Sequence, residues 1–183
     1  MNEVIEKGKL LVALPTLRDT NFWQTVVLLC EHSPEGSMGL VVNRPTEVDV
    51  STLLNDHPYL AGAGQVYAGG PVQKNAMLIL CRSSEPPEDA AILENIFLAR
   101  DLEMFKNPDL LGPDGKIRCY VGYAGWGQGQ LEAELKAGAW QLLPGDAGLI
   151  FDADFATLWQ KMMQRIGGEW AIYASMPPDP SLN

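Results

Sequence analysis

RCYVGYAGWGQGQLEAELKAGAWQLLPG, residues 118–145, is the stretch that predicts most about this chain. It holds five glycines between Gly122 and Gly138, and it contains Trp126 and Trp140, two of the five tryptophans. Glycine lets the backbone turn sharply or be approached closely. Aromatic residues beside such glycines are typical of a surface built for contact. We therefore expect the functional site of the protein to include this stretch.

The same stretch predicts a strand, a turn and a helix in succession. Residues 117–123 alternate as a strand that places Tyr123 on the same face as Cys119. The glycine-rich residues 125–129 predict a tight strand-to-helix turn. Apolar residues at i and i+4 then mark a helix over residues 130–137.

The composition indicates one domain with few basic groups to spare. A chain of 183 residues with 46% hydrophobic content can bury a single sizeable core. The net charge is −10, from 13 basic and 23 acidic residues. Nucleic-acid affinity comes largely from Lys and Arg that neutralise phosphates. Direct binding to nucleic acid, or to an anionic membrane surface, is therefore disfavoured.

The cysteines and the N-terminus favour a cytoplasmic location. Cys30, Cys81 and Cys119 are odd in number and form no C-x-x-C pair, and two of them lie in apolar runs. Such thiols fit a reducing compartment better than a disulfide framework. The first residues lack the apolar core of a signal peptide, and no apolar run approaches the ~20 residues needed to span a bilayer.

The N-terminal half predicts a β-hairpin. Residues 25–32 are β-branched and apolar, residues 33–37 have the composition of a turn, and residues 38–43 form a second apolar run. The predicted hairpin thus has a five-residue loop. Its second strand should end before Pro45, because proline cannot donate to a strand ladder.

The C-terminal third contains the clearest helix. Asp154 can cap it, an apolar stripe follows at helical spacing, and Gly167 can end it. We predict a strand over residues 170–174 and a single domain over residues 1–175. The proline-rich residues 176–183 are predicted to be an extended or disordered tail. Strands and helices do not alternate regularly, so the fold class is α+β.

Motifs for phosphate binding and for metal binding are weak. The glycines at residues 125–129 follow a strand and precede a helix, as phosphate loops do. However, the loop contains no Lys, and Glu132 and Glu134 place negative charge where a phosphate would lie. The chain has two histidines and no cluster with metal-ligand spacing. We expect no cofactor and no metal.

A thiol–imidazole pair and a tryptophan each allow two interpretations. Cys30 and His32 share a strand face, but they lie roughly 7 Å apart at strand rise, so a core thiol is favoured over a catalytic dyad. Trp126 is either an anchor of the core or, with Tyr123 and Gln130, the wall of an apolar pocket. The sequence favours the core anchor without excluding the pocket wall.

Three blocks of sequence together resemble the YqgE/AlgH family of small bacterial proteins. They are GKLLVALP at residues 8–15, continuing through TVVLLCEH to MGLVVNRP at residues 38–45; VYAGGPV at residues 66–72; and GYAGWGQGQLE at residues 122–132. The blocks occur in order over almost the whole chain, which makes the combination specific.

The resemblance implies a fold and a surface, but no reaction. Such proteins are compact α+β domains with a mainly antiparallel, bifurcated and barrel-like sheet flanked by helices. Some members carry a name that suggests transcriptional regulation of alginate synthesis, whereas the family has no established enzymatic activity. We expect the shared surface or pocket to include Asn43, Arg44, Gly69, Gly70, Tyr123, Gly125, Trp126, Gln130 and Glu134.

Two hypotheses about function follow. The first is a non-catalytic regulatory domain of the bacterial cytoplasm that binds a small molecule or a protein partner, with at most an indirect role in transcription. The alternative is an enzyme of unknown reaction whose pocket is formed by Arg44, Trp126, Gln130 and Glu134. The alternative requires these four side chains to converge.

Overall fold

One curled, largely antiparallel sheet forms the framework of the protein. The computed structural model of the chain describes residues 4–99, 101–107 and 109–176. The strands are β1 (Lys9–Ala13), β2 (Val26–Ser33), β3 (Gly36–Val41), β4 (Pro45–Asp49), β5 (Gln65–Ala68), β6 (Val72–Arg82), β7 (Ala91–Leu93), β8 (Ile96–Leu98), β9 (Lys116–Gly127) and β10 (Trp140–Pro144).

Short helices cover the two faces of this sheet. The α-helices are α1 (Val50–Leu53), α2 (Gln130–Lys136), α3 (Ala147–Phe151) and α4 (Phe155–Ile166). The 3₁₀ helices are Thr20–Phe22, Pro58–Ala63, Glu88–Ala90, Leu102–Lys106 and Gly168–Ser175.

The sheet divides along β9. The strand order is β10-β1-β2-β3-β9-β6-β8-β7, and β4 and β5 form a side branch. Gly36–Gly39 of β3 pairs antiparallel with Ala124–Gly127 of β9. In the N-terminal part of β9, Tyr120 and Val121 pair in parallel with β5, and residues 116–123 pair antiparallel with β6. The predicted α+β class and the bifurcated, half-barrel sheet are confirmed.

Three apolar clusters fill the space around the sheet. The largest lies between the sheet and α4, whose Leu158, Trp159 and Met162 are buried. Asp154 caps α4 by accepting a hydrogen bond from the Ala156 N–H at 3.1 Å, as its sequence predicts. The second cluster packs α2 on the opposite face, and the third surrounds β5, β6 and β8.

The predicted glycine turn is wrong, because β9 continues through it. Residues 122–127 remain in the strand, and the turn into α2 occupies only Gln128 and Gly129. Gly122 has φ of +71° and shifts the alternation of side chains. Tyr123 therefore packs in the largest cluster, whereas Cys119 lies in the third cluster, so these two residues do not share a face.

Other local predictions also required correction. The hairpin loop has two residues, since Ser33 pairs with Gly36. The second strand of the hairpin, β3, ends at Val41 and so before Pro45, as predicted, while Pro45 itself begins β4, where a first residue needs no donor. Residues 170–174 lie in a 3₁₀ helix whose Trp170 and Tyr173 pack side by side, with ring centroids 6.0 Å apart. A spacing of three residues places both rings on one side of a 3₁₀ helix. The predicted tail beyond Met176 lies outside the described residues.

Candidate functional site

A hydrogen-bonded cluster joins β9, α2 and β10. Glu134 Oε2 accepts hydrogen bonds from the indole N–H of Trp126 at 2.9 Å and of Trp140 at 2.8 Å. Gln130 Nε2 donates to Glu134 Oε1 at 2.9 Å, and Gln130 Oε1 accepts from the Gly127 N–H at 3.1 Å. We call these four side chains the tryptophan–glutamate cluster. Its polar atoms bond mainly to one another, so its role is to fix α2 against the sheet.

Trp126 is an anchor of the core whose edge reaches a groove. Only 5% of its surface is exposed. Its ring stacks on Phe22 at 6.3 Å and meets Trp140 edge-on at 5.9 Å between centroids. The two interpretations of this tryptophan are therefore compatible, since a buried ring can also border a pocket.

An open groove of about 730 Å³ lies between the β2–β3 turn and the paired strands β6 and β9. Its apolar floor consists of Met38, Val72, Leu78, Tyr123 and Trp126. Its other lining residues are Glu31, His32, Ser33, Glu35, Gly36, Ser37 and Gly125. We call this surface the acidic groove, because the described lining contains two exposed carboxylates and no Lys or Arg.

The polar end of the acidic groove is organised by the hairpin. Ser33 Oγ donates to Glu35 Oε2 at 2.7 Å, and this bond lowers the pKa of the Glu35 carboxyl below its usual range. His32 and Ser37 are cross-strand partners, and His32 Nδ1 lies 2.8 Å from Ser37 Oγ. Glu132 Oε1, from the first turn of α2, lies 3.9 Å from His32 Nε2.

Asn43 and Arg44 act together on the loop before β2. Asn43 accepts a hydrogen bond from the Val26 N–H at 2.9 Å and donates to the Gln24 carbonyl at 2.9 Å. Arg44 donates to the carbonyl of Asn21 and, at 2.8 Å, to that of Trp23. The NRP motif thus holds residues 21–26 in place through both side chains.

Gly69 and Gly70 are required by close backbone contact with β9. A Cβ on Gly69 would lie 2.4 Å from the Gly122 carbonyl oxygen. One on Gly70, which has φ of +154°, would lie 2.2 Å from the Tyr123 carbonyl carbon. The GGP motif therefore carries the chain across the sheet where no side chain fits.

The predicted site residues fall into two groups. Tyr123, Gly125 and Trp126 line the acidic groove, with Gln130 and Glu134 behind Trp126. The other group lies around a separate depression lined by Arg44 and Gly70, with Asn43 and Gly69 adjoining. The structure therefore does not bring Arg44 into one pocket with the tryptophan–glutamate cluster, as the enzyme hypothesis requires.

Several lining residues of the acidic groove are not predicted by the sequence. The sequence pattern indicates His32 only as a partner for Cys30, and it places Ser37 and Glu35 in a loop. The signal that could have found them is the register of the hairpin, which places His32 opposite Ser37. A shorter loop in the prediction would have suggested this pairing.

The three thiols are poor nucleophiles. Cys30, Cys81 and Cys119 are all free and buried. Burial raises the pKa of Cys81 to about 12 and that of Cys119 to about 11, and it raises the pKa of Cys30 still further. The Cys30 thiol contacts the Leu28 carbonyl at 3.5 Å, in agreement with a core thiol rather than a dyad.

Over residues 4–99, 101–107 and 109–176, no three His, Cys, Asp or Glu side chains are grouped so that they could hold a metal ion. Within the same ranges, no helix has the length and apolar character to cross a membrane.

A second concavity of about 540 Å³ lies at the other end of β9. Arg118 lines it, but its guanidinium is committed to the carbonyls of Ile150 and Phe151 and lies 4.4 Å from the centroid of the Tyr67 ring. These contacts make Arg118 a brace between β9 and α3.

Comparison with known proteins places this architecture in a family. The AlgH-like family model (DUF179) matches residues 10–171. A UPF0301 protein of Streptomyces coelicolor is 42% identical over 184 residues, covering 96% of this chain and 94% of that protein. A UPF0301 protein of Chlamydia muridarum is 34% identical and covers 98% of this chain and 96% of its own length.

Two solved structures share the fold. The crystal structure of protein DIP2367 from Corynebacterium diphtheriae aligns with a TM-score of 0.78 at 21% identity, covering 96% of this chain and 95% of that chain. The solution structure of the AlgH protein from Pseudomonas aeruginosa aligns with a TM-score of 0.69 at 29% identity, covering 98% of this chain and 100% of that chain. The resemblance noted in the three sequence blocks is confirmed, and the chain belongs to the AlgH-like family.

Proposed function

We propose that this protein is a non-catalytic binding domain that takes a basic, partly apolar segment of a partner protein in the acidic groove. The observation that carries the proposal is the composition of that groove. All three family blocks border it. The first block contributes Glu31 and Met38, the second contributes Val72, and the third contributes Tyr123 and Trp126. An apolar floor with polar groups at its edge is the usual character of a binding site.

The charge of the groove favours a cationic partner. Glu31 and Glu35 are exposed at its rim, and the hydrogen bond from Ser33 lowers the pKa of the Glu35 carboxyl. The net charge of −10 adds a long-range field that speeds the approach of cations. An approaching acidic segment would meet like charges at the rim and in the field as a whole.

The floor of the groove favours an apolar anchor on the same partner. Met38 and Leu78 are half-buried beside Tyr123, so each leaves apolar surface that a ligand can cover. Methionine is unbranched and polarisable, and it adapts to differently shaped partners. A segment with alternating basic and apolar side chains could pair with rim and floor at once.

A regulatory role in the bacterial cytoplasm fits this proposal. The free, buried thiols suit a reducing compartment. Any effect on transcription would be indirect, through the bound partner, because the protein has few cations with which to hold DNA.

The experiment is a fluorescence-polarisation screen of synthetic peptides at fixed ionic strength. Peptides with Lys or Arg alternating with Leu or Phe are compared with peptides of the same apolar pattern carrying Glu. We expect the basic set to bind and the double variant Glu31→Lys/Glu35→Lys to lose at least about tenfold in affinity.

The matched control is Glu47→Lys/Glu94→Lys, which makes the same change of net charge at exposed positions outside the groove lining. Equal losses in the two double variants would mean that net charge, and not the groove, attracts the peptides. If small organic cations bind and no peptide does, the ligand of the acidic groove is a small molecule and not a protein segment.

One observation favours a second candidate, a hydrolase. His32 Nδ1 lies 2.8 Å from Ser37 Oγ, and Glu132 lies 3.9 Å from the other ring nitrogen. Ser37, His32 and Glu132 are thus arranged like a nucleophile, a general base and an orienting carboxylate. The 3.9 Å between Glu132 and His32 is longer than a hydrogen bond. Covalent labelling of Ser37 by a fluorophosphonate, abolished in Ser37→Ala and in His32→Gln, would support this candidate over binding alone.

A further inference from the structure

A depression of about 110 Å³ lies apart from the acidic groove, beside the segment that leads into β6. Its lining residues are Asn21, Val41, Arg44, Ala68, Gly70, Pro71 and Lys74. The described part of this lining contains two cations and no carboxylate, in a protein whose net charge is −10. The depression is thus the electrostatic opposite of the acidic groove.

Arg44 is a partly desolvated cation that forms no salt bridge with any residue that the structure describes. Its described hydrogen bonds go to the backbone carbonyls of Asn21 and Trp23. Burial lowers the pKa of its guanidinium. Guanidinium has five N–H donors in a planar fork, so two bonds leave donors for a ligand. Placing a charge in this setting without a counter-ion is unfavourable, and a bound anion would relieve it.

Lys74 is brought to the same depression by an irregularity of β6. Val72 pairs with Tyr123 and Met77 with Val121, so residues 73–76 bulge out of the ladder. Lys74 is exposed on this bulge and forms no ion pair with any residue in the part of the chain that the structure describes. A regular strand would have carried its ammonium group along the sheet instead.

Two strained backbone positions flank the depression. Gln24, with φ of 52°, and Gln73, with φ of 46°, are the non-glycine residues with positive φ among those described. Gln24 follows Trp23, whose carbonyl binds Arg44, and Gln73 precedes Lys74. Such conformations cost free energy and collect at functional sites. Gln73 lies in the bulge that carries Lys74, and Gln24 lies in the loop whose carbonyls accept the hydrogen bonds of Arg44.

We propose that the depression between Arg44 and Lys74 binds the phosphate group of a small phosphate monoester. Two cations match the double charge of a monoester, and the free donors of Arg44 and the Lys74 ammonium match its three terminal oxygens. The volume corresponds to a few water molecules at about 30 Å³ each, which suits one phosphate group. A nucleic acid is a poor ligand, because the rest of the surface repels a polyanion.

The site is tested by NMR titration of the ¹⁵N-labelled protein with phenyl phosphate at constant ionic strength. We expect saturable shifts of the amides of Gly69, Gly70 and Lys74. Benzoate, which carries the same ring on a carboxylate, serves as the parallel titrant and should bind more weakly. Inorganic phosphate should shift the same amides. No saturable shift, or equal affinity for benzoate, overturns the proposal.

Variants separate the site from general attraction of anions. Lys74→Gln should weaken binding by about tenfold, and because Lys74 has no described bond it should leave the fold intact. Lys161→Gln, an exposed lysine on α4, is the matched control and should bind as the wild type does. Equal loss in both variants contradicts the proposal.

Two further variants test the role of Arg44 and the independence of this site from the acidic groove. Arg44→Lys keeps the charge but loses the planar fork, so we expect weaker binding, with changes in the amide spectrum of the free protein confined to the surroundings of residues 21–26 and 44. Glu31→Lys/Glu35→Lys should leave phenyl phosphate binding at Gly70 and Lys74 unchanged. Loss of peptide binding in that double variant, with phosphate binding retained, would show two separate sites.

Discussion

The indole N–H groups of Trp126 and Trp140 donate hydrogen bonds to the same carboxylate oxygen, Glu134 Oε2, at 2.9 and 2.8 Å. This shared acceptor links the strand β9 to the strand β10 through α2, although the two strands are not neighbours in the sheet. Hydrogen bonds to a charged acceptor are stronger than neutral ones. The arrangement explains why a glutamate on α2 is half-buried.

Replacing Glu134 should therefore destabilise the protein. Glu134→Ala leaves two indole donors without an acceptor, and we expect a loss of about 2–4 kcal/mol in the free energy of unfolding. Glu134→Gln keeps a neutral acceptor and should lose roughly half as much. Urea unfolding followed by tryptophan fluorescence measures both. Glu132→Ala, on the exposed side of α2, should change stability by less than about 0.5 kcal/mol; a similar loss there would refute the shared-acceptor account.

Gly70 should tolerate no side chain. A Cβ there would meet the Tyr123 carbonyl group at 2.2–2.3 Å and the Ala124 nitrogen at 2.4 Å. Because these are backbone atoms, the strand itself must move, and we expect Gly70→Ala to cost about 3 kcal/mol or more. Thermal unfolding by circular dichroism provides the measurement. Gly62→Ala is the control, since a Cβ at Gly62 meets nothing within 4 Å; equal melting points for the two variants would be the contradicting result.

The three thiols should be unreactive in the native protein. Burial raises the pKa of Cys81 to about 12 and of Cys119 to about 11, and it raises the pKa of Cys30 as well. At pH 8 we expect a thiol-reactive reagent to modify none of the three at an appreciable rate until urea unfolds the chain. Rapid labelling of any one of them at pH 8 would show that its region opens readily.

The raised pKa values of the thiols also predict that the free energy of unfolding decreases at alkaline pH. A thiol whose pKa is higher in the folded state contributes stability that is complete below its ordinary value of 9.0. This contribution disappears as pH rises from there through the folded pKa of about 12 for Cys81. Cys81→Ser should show a smaller decline in stability between pH 8 and pH 11 than the wild type. A parallel decline in the two proteins would assign the effect to other groups.

Asp152 should contribute to stability only above acidic pH. It accepts hydrogen bonds from Lys116 and, at 2.6 Å, from Arg82, and these bonds lower the pKa of its carboxyl below the ordinary 3.8. The contribution is therefore present above about pH 4 and is lost as pH falls through the folded value. Because the pair is exposed, we expect Asp152→Asn to cost under about 1 kcal/mol at pH 7. The difference from wild type should shrink as pH falls below about 4, and a difference that stays constant there would contradict the assignment.

Duplex DNA should bind weakly or not at all. The net charge of −10 gives a repulsive field, and the two cations of the Arg44–Lys74 depression are too few to offset it. A gel-shift titration at low salt should show no retarded band at micromolar protein. Tight binding that weakens steeply with added salt would overturn the indirect role proposed in transcription.

Local features of the chain were predictable because their signals are local. The apolar runs of β2 and β3 indicated strands, and the stripe on α4 with Asp154 before it indicated a capped helix. The family resemblance supplied the sheet architecture, which the structure confirms. The 3₁₀ helix at residues 168–175 was not predictable in the same way, since its apolar residues form a short run that suits a strand equally well.

The sequence alone determined the composition, the three family blocks and the glycine–tryptophan stretch. Charge, hydrophobic periodicity and motif spacing are properties of the sequence and do not depend on which strands pair. The sequence alone did not determine the two sites. Gly122 moves Tyr123 to another face, the hairpin register sets His32 opposite Ser37, and the bulge at residues 73–76 brings Lys74 to Arg44. Each depends on which strands pair and in what register, and a shift of one residue sends a side chain to the opposite face of a sheet.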